Sequence, residues 1–415
     1  MRKTYLLFLL RLFTTASSRA IHTASNTTLV PRSSAEVNDR RCDCYLVSGP
    51  VPGYFQNYRL WDFRNVPLHV NQENLDDYDD NPTEGEIIED AGIGGNLSVN
   101  SILLSQTPFA KDWKSQAWHR EGSSLGPVPI LNSKWNVFFA RDPSERHGPD
   151  STYLVLRTKR LRDHTSTAEI ESRLRNIFRC SFRVRLRILA PYSDQVPDAG
   201  VTNGQMATGG ACAGIFSYHS ANCESDIEIL TSGPRNIVHL ANQPDYDPNT
   251  DQKIPGASTV ARIRKPWTSW VTHRLDWLTD HSRWYADRDM LNTKTYQVPN
   301  KPSMMAINLW SDGGSWTGDM NVGDSVYMAI EWIQMVYNVS ARTDDLPDGI
   351  PLQRHAHGLK SNLTLMQAVF DDQTGSSGPV SPDQKKKKKK NKKKKNRKGK
   401  NGHGCRRPCW VDDYP

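Results

Sequence analysis

The sequence predicts an all-β protein, a jelly-roll sandwich of two antiparallel sheets. Three observations carry that prediction. From about Trp135 to Val339, short runs of branched and aromatic residues are separated by clusters of Gly, Pro, Asn and Asp, the punctuation of strands and turns. Phe182 to Ile188 alternates apolar residues with arginines, which a strand sorts into one buried and one wet face. Helical periodicity is nearly absent: Thr167 to Phe178 is the one candidate, and it reads equally as a strand plus a turn. Tyr153–Arg157, Ile227–Leu230, Ser303–Leu309 and Tyr327–Val336 complete the clearest strands, and no repeat is visible.

In chain order, residues 1–20 read as a signal peptide. Arg2 and Lys3 make a basic start, Tyr5 to Leu10 an apolar run, and Ala16, Ser18 and Ala20 a small-residue end, although Arg11 interrupts the pattern. Residues 21–40 form a polar leader, and residues 41–340 the β domain. The carboxylate-rich stretch Asp76 to Asp90 reads as an exposed loop. Asp77, Asp79 and Asn81 alternate there as in a calcium loop, but Pro82 stands where the sharp turn needs Gly and Ile88 where a bidentate Glu belongs. That rules out an EF-hand and leaves only incidental structural calcium open.

Export is the expectation, to the extracellular space or the cell wall. Four Asn-x-Ser/Thr sequons, at Asn26, Asn96, Asn338 and Asn362, and seven cysteines fit an oxidising compartment. Cys212 and Cys223 flank one strand and are candidates to bridge, as are Cys405 and Cys409; an odd count leaves at least one thiol unpaired. Cys42 and Cys44 are too close for the usual zinc-ligand spacing, so no metal site is expected. No apolar run is long enough for a transmembrane helix.

Residues 341–384, rich in Asp, Pro, Gly and Ser, read as a linker, and 385–415 as a disordered polybasic tail that includes Cys405 and Cys409. The formal charge of +8 belongs to that tail: fifteen of the 53 basic residues but only two of the 45 acidic ones lie from residue 385 onward, leaving −5 on the rest. A mildly acidic body and a lysine run without interleaved aromatics exclude nucleic acid as the expected partner. The tail is a solvated segment or, in the sharper reading, an adhesive one for anionic wall polymers or lipid headgroups.

The stretch Cys223-Glu224-Ser225-Asp226-Ile227-Glu228-Ile229-Leu230 is the candidate site. With 45 acids in 415 residues, acids at i, i+2 and i+4 arise by chance roughly half a time in such a chain. Context adds weight. Ile227 and Ile229 interleave with the acids, so a strand buries the isoleucines and aligns Glu224, Asp226 and Glu228 on the other face. Three like charges in a row give a purely structural strand nothing. Glycoside hydrolysis needs an acid to protonate the leaving oxygen and a carboxylate to attack or assist, and a third acid between them can tune the pair. Positions i and i+4 stand roughly 13–14 Å apart along a strand, whereas a retaining pair needs about 5–5.5 Å between carboxyl groups. The two glutamates must therefore lean inward on a concave sheet.

Glu224-Ser225-Asp226-Ile227-Glu228 matches the Glu-x-Asp-x-Glu signature of glycoside hydrolase family 16, and the chain resembles a fungal-type secreted member of that family over about residues 42–340. Ala168-Glu169-Ile170-Glu171-Ser172 resembles the strand before the catalytic one, and Gly214-Ile215-Phe216 the approach to it. Asn242-Gln243-Pro244 resembles the following strand end, and His273-Arg274-Leu275-Asp276-Trp277 a His-x-x-x-Trp strand of the family. Asn308-Leu309-Trp310 with Trp316 is similar to its substrate-lining loop. The resemblance implies a concanavalin A-like jelly roll with a concave cleft, acting on β-linked glucans with retention of configuration and no cofactor. It implies Glu224 as nucleophile, Asp226 as its helper and Glu228 as general acid/base. Trp310 and Trp316 would stack on sugars, and Asn308, Asn242 and Gln243 would contact substrate. Many bacterial members carry Arg where Glu171 falls, which bears on linkage preference. The alternatives are a cell-wall transglycosylase of the same fold and a carbohydrate-binding protein that does not cleave. His239 and His273 read as structural histidines.

Overall fold

The structure, a computed structural model, describes residues 41–50, 53–68, 101–142, 144–189, 209–247, 249–250, 252–340 and 405–411. All of them belong to the compact unit Pro31–Pro415; the other, Met1–Val30, lies outside the described residues, as do the predicted signal peptide, leader, acidic loop, linker and lysine run.

Two antiparallel sheets form a sandwich. The first runs in the order Trp113–Ser115, Thr165–Ser172, Met304–Trp310, Cys212–Ser220, Cys223–Leu230, Ile237–Asn242, Ser258–Arg262. The second runs Asp289–Lys294, Ser282–Ala286, Val271–Trp277, Ile177–Leu189, Ser325–Val339. The long strand Ser325–Val339 then pairs with Asn57–Asp62 through its C-terminal half and with Thr152–Arg160 through its N-terminal half. Thr165–Ser172 joins the sheets: its start pairs with Thr152–Arg160 and its end with Met304–Trp310.

The core between the sheets follows from period-2 alternation. Ile227 and Ile229, Ile215, Ile307 and Leu309, and Ala168 and Ile170 point inward from the first sheet. Phe182, Val184, Leu186 and Ile188 answer from the second, with Leu275, Trp277, Trp284, Ile330 and Ile333. Burying a side chain of this size is worth about 1.5–3 kcal/mol against leaving it exposed, so the arrangement is fixed in register: a one-residue slip would turn the isoleucines out and the carboxylates in.

Two expectations are corrected. Thr167 to Phe178 is not helical: it is the end of Thr165–Ser172, a turn, and the start of Ile177–Leu189. Ala168 and Ile170 are buried in the core while Glu169 and Glu171 face the other way, which is strand alternation. Among the described residues the helical elements are short 3-10 turns such as Pro108–Lys111 and Lys134–Asn136.

The cysteines also pair differently. Cys42 is bonded to Cys409 and Cys44 to Cys405, while Cys180, Cys212 and Cys223 are free. Cys212 sits across from Leu230 and Cys223 across from Ser220, at opposite ends of one hairpin and so roughly 26 Å apart along the strands, beyond any disulfide. Pro408–Trp410 is not part of a disordered tail: it lies parallel to Cys44–Val47, which pairs on its other side with Gly53–Phe55. Of the sequons, only Asn338 is among the described residues; its side chain accepts from the Gln56 amide at 2.9 Å and donates to the Tyr54 carbonyl at 3.3 Å.

Candidate carboxylate site

Cys223–Leu230 is the fifth strand of the first sheet, flanked by Cys212–Ser220 and Ile237–Asn242. With Ile227 and Ile229 in the core, Glu224, Asp226 and Glu228 share the face away from it, as the alternation predicts. All three are buried, at 3%, 1% and 2% exposure, so their neighbours rather than bulk water set their chemistry.

Cross-strand register builds rows on that face, because directly paired residues point to the same side. Glu228 is level with Gly214, Asn308 and Glu169 in one direction and with His239 in the other. Asp226 is level with Phe216, Ala306 and Glu171, and Glu224 with Tyr218 and Met304. The face therefore carries five carboxylates, two of them from Thr165–Ser172. Phe216, Tyr218, Met304 and Ala306 make an apolar floor beside them.

Side-chain partners are identified for Asp226, Glu228, Glu169 and Glu171. Gln243 Nε2 donates to Asp226 Oδ2 at 2.8 Å, and Gln243 Oε1 accepts from the Asp245 amide at 3.0 Å, which fixes the amide's orientation. The Gln243 backbone N–H donates to the Glu224 carbonyl at 3.0 Å, and the Gln243–Pro244 peptide is cis. The Cys212 thiol donates to Glu228 Oε1 at 3.5 Å. Burial first, and then the Glu228 charge, push that thiol's pKa well above its ordinary value, so it remains a donor. Glu169 receives Trp118 Nε1 and Asn308 Nδ2, both at 3.3 Å, and Glu171 receives Arg175 at 3.2 Å. The buried Asn308 Oδ1 has no hydrogen-bond partner among the described residues.

Aromatic side chains collect at the Glu228 end. Trp310 packs with Cys212 and Ile130, and Trp118 and Trp316 lie against that cluster half-buried. Trp316 meets the His239 ring edge-on at 5.0 Å. Trp310 is buried, with the Arg120 guanidinium 5.7 Å over its ring and held by Asp312 at 2.7 Å. Asn308 and Trp310 stand on a strand rather than in a loop.

The structure thus brings Glu224, Asp226, Glu228, Gln243 and Asn308 to one face, with Trp310 and Trp316 at its edge. Asn242 does not join them. It pairs with Ser225, whose hydroxyl donates to Asn242 Oδ1 at 2.7 Å, and its Nδ2 donates to the Tyr296 carbonyl at 2.7 Å; both lie on the opposite face of the sheet. Its amide has a structural task. His273 is fully buried in the second sheet, away from the carboxylates, and burial lowers its pKa to about 4. Glu169, Cys212 and Trp118 are site neighbours that the sequence reading did not assign to the site, and His239, read there as structural, stands level with Glu228. The Glu169-Ile170-Glu171 alternation held a signal for the first of these; Trp118 and Cys212 carried none.

Among the described residues, no group of three or more His, Cys, Asp or Glu is arranged to hold a metal ion. None of their helices is long and apolar enough to cross a membrane, which says nothing of a β-barrel.

No protein-family model matches the chain. Over 73 residues it is 32% identical to a β-glucanase of Paenibacillus polymyxa, covering 17% of this chain and 31% of that protein. Over 65 residues it is 31% identical to a β-glucanase of Bacillus subtilis (strain 168), covering 15% and 27%. The chain spans about a third of the length of the curated relatives it matches. Among solved structures it is similar to a Bacillus licheniformis β-glucanase, with 17% identity, a TM-score of 0.41 and coverage of 55% of this chain and 92% of that one. It is also similar to a glycoside hydrolase family 16 endo-glucanase from Bacteroides ovatus, with 16% identity, a TM-score of 0.40 and coverage of 55% and 95%. The matched proteins are of the kind that the resemblance of the acid strand anticipated.

Proposed function

We propose that this chain is a secreted retaining glycoside hydrolase of family 16 that cleaves β-linked glucans, β-1,3 or mixed β-1,3-1,4. The observation that carries the reading is the single buried face presenting Glu224, Asp226 and Glu228, with their isoleucine neighbours committed to the core. The local identity to β-glucanases supports the substrate class. The basic-then-apolar start of the chain and the two disulfides support export.

In this reading the Glu224 carboxylate attacks the anomeric carbon while Glu228 gives its proton to the departing glycosidic oxygen. The resulting glycosyl ester is opened by a water that Glu228, now a carboxylate, deprotonates, and the second inversion restores the configuration. Asp226 lies between them and is oriented by Gln243. The Cys212 thiol steadies Glu228 by donating to Oε1. Asn308 Oδ1, a buried acceptor without a partner among the described residues, suits a sugar hydroxyl. The half-buried Trp316 is better placed than Trp310, which Arg120 covers, to meet a sugar's flat C–H face.

The test is hydrolysis of laminarin-type and mixed-linkage glucans, with the product anomer followed by NMR. Glu224→Gln and Glu228→Gln should each lower kcat by at least about 1,000-fold with unfolding curves like the parent's. Wild-type rates in either variant, or an inverted first product, would sink the mechanism. Binding of glucans without cleavage across the panel would favour a carbohydrate-binding protein instead, and transfer to an added oligosaccharide would favour a transglycosylase.

A further inference from the structure

Asn338 stands at the end of Ser325–Val339 and opens the sequon Asn338-Val339-Ser340. Val336, two residues earlier, packs with Phe55 in the cluster beneath the three-stranded sheet, so alternation turns Asn338 toward the rim of that sheet. The side chain is held in one pose. Oδ1 accepts from the Gln56 N–H at 2.9 Å, which identifies the other end of the amide as nitrogen, and Nδ2 donates to the Tyr54 carbonyl at 3.3 Å. A primary amide has two N–H groups. An N-glycosidic bond takes one of those hydrogens and leaves Oδ1 untouched. The folded side chain can therefore carry a sugar and keep its bond to Gln56, with one N–H remaining for Tyr54.

The strand that Asn338 touches has its own need of a cover. The small sheet runs in the order Gly53–Phe55, Cys44–Val47, Pro408–Trp410, which makes Gly53–Phe55 an edge. Phe55 and Val47 pack inward. Tyr54 and its partner Leu46 therefore face out; Leu46 is 5% exposed but Tyr54 is 61% exposed. Edges are ordinarily guarded by charged side chains or proline, and Gly53, Tyr54, Phe55 and Gln56 supply neither. A bare aromatic ring on an open edge invites unwanted association. The ring and the carbonyl that Nδ2 reaches belong to the same residue, so a sugar on Nδ2 begins within one residue's length of that ring.

We propose that Asn338 carries an N-linked glycan whose first N-acetylglucosamine lies on the Tyr54 ring and covers the Gly53–Phe55 edge. The flat C–H face of a pyranose suits an exposed aromatic ring. The proposal rests on the export reading above, because the donor, a lipid pyrophosphate-linked oligosaccharide, is met in the secretory pathway. In the transfer the bond from the sugar C1 to Nδ2 forms and the bond from C1 to the pyrophosphate oxygen breaks. The lipid pyrophosphate leaves with the electron pair, and Nδ2 loses one proton.

The test uses the full chain secreted from a eukaryotic host that attaches N-glycans. Peptide mapping after glycosidase release in heavy-oxygen water marks each occupied asparagine as a labelled aspartate. Most molecules should be labelled at Asn338; Ser340→Ala should abolish that label and Ser340→Thr should keep it. Ser340 is held to Asn176 through its own main-chain N–H and carbonyl, at 2.8 and 3.1 Å, so neither change removes those bonds. Thermal unfolding reads the packing. Ser340→Ala should melt roughly 2–4 °C below Ser340→Thr, and trimming the glycan to its first sugar should leave the Thr variant unchanged. With Tyr54→Ser added, the Ala and Thr variants should melt within about 1 °C of each other. Glucan hydrolysis should be equal in all of them. A secreted chain with Asn338 bare overturns the proposal and leaves the export reading standing. No chain in the medium overturns the export reading and the proposal with it. An occupied Asn338 whose stabilisation is the same with and without the Tyr54 ring overturns the proposed contact.

Discussion

Gly214 is the most informative position to perturb. It lies level with Glu228 on one side and Asn308 on the other, in the middle of the row that ends on Glu169. A Cβ at Gly214 would stand 2.5 Å from Asn308 Oδ1, where carbon contacts settle no closer than about 3.5 Å, so the amide must retreat by about 1 Å. Asn308 is buried and its Nδ2 donates to Glu169 at 3.3 Å on the other side of the row, so the retreat presses the amide against Glu169 and disturbs that contact. Overpacking of this size costs about 1–3 kcal/mol, which at about 2–4 °C per kcal/mol lowers Tm by roughly 2–12 °C. With Asn308 contacting the substrate as proposed above, its displacement by about 1 Å costs up to about 100-fold in kcat/KM. The assay is thermal unfolding of Gly214→Ala, Asn308→Ala and the double variant, with glucan hydrolysis by the single variants. Because Asn308→Ala removes the clashing atom, the double variant should be more stable than the sum of the singles predicts, by about 1–3 kcal/mol. Parent-like melting and rates in Gly214→Ala, or strict additivity in the cycle, would refute the packing argument.

Other outcomes follow from single contacts. Gln243→Ala removes the donor at 2.8 Å from buried Asp226 and should cost about 1.5–3 kcal/mol of stability and lower kcat more than it raises KM; an unchanged kcat would detach Gln243 from the chemistry. His273 has its pKa lowered to about 4 by burial, so the fold favours the neutral ring. Its contribution is fully present above the unfolded value of about 6.5 and is lost as pH falls toward 4, about 3 kcal/mol in all. His273→Phe should flatten that acid slope in urea titrations between pH 7 and 4, and an unchanged slope would contradict the assignment. Removing either disulfide alone should cost about 2 kcal/mol, since the survivor leaves only a few residues for the other to close. Removing both should cost about 5 kcal/mol or more, because they then release a chain separation of 367 residues; equal losses in single and double variants would exclude the entropic account.

The parts of the fold that read from the sequence are those set within one strand. Phe182 to Ile188 declared its two faces, and the Glu224-to-Glu228 stretch declared which of its residues would be core, because alternation is local. What depends on register between strands did not show. Asn242 falls on the wrong face because it pairs with Ser225, and one residue of parity decides that. Cys212 reaches Glu228 only because the hairpin sets Gly214 beside Glu228, two pairs in from Cys212 and Leu230 and so on the same face. Trp118 reaches Glu169 across 51 residues of sequence. The disulfides close separations of 367 and 361 residues, where nearness of Cys405 to Cys409 in sequence was a false guide. The arginines of Ile177–Leu189 looked like an ordinary wet face, and only the strands packed beside them turn that face into a cavity floor.

The bond between Cys42 and Cys409 has a topological consequence. Backbone and disulfide together form a covalent ring that includes both sheets and, in sequence, the lysine run at 385–400. A protease that cuts once anywhere inside that ring linearises it without releasing a piece, so a nicked molecule keeps its mass on a non-reducing gel and splits in two only after reduction. Exopeptidases entering from either end stop at the half-cystines. A chain built this way can be clipped and still carry its cationic segment, and detaching that segment takes two cuts, or one cut and a reductant.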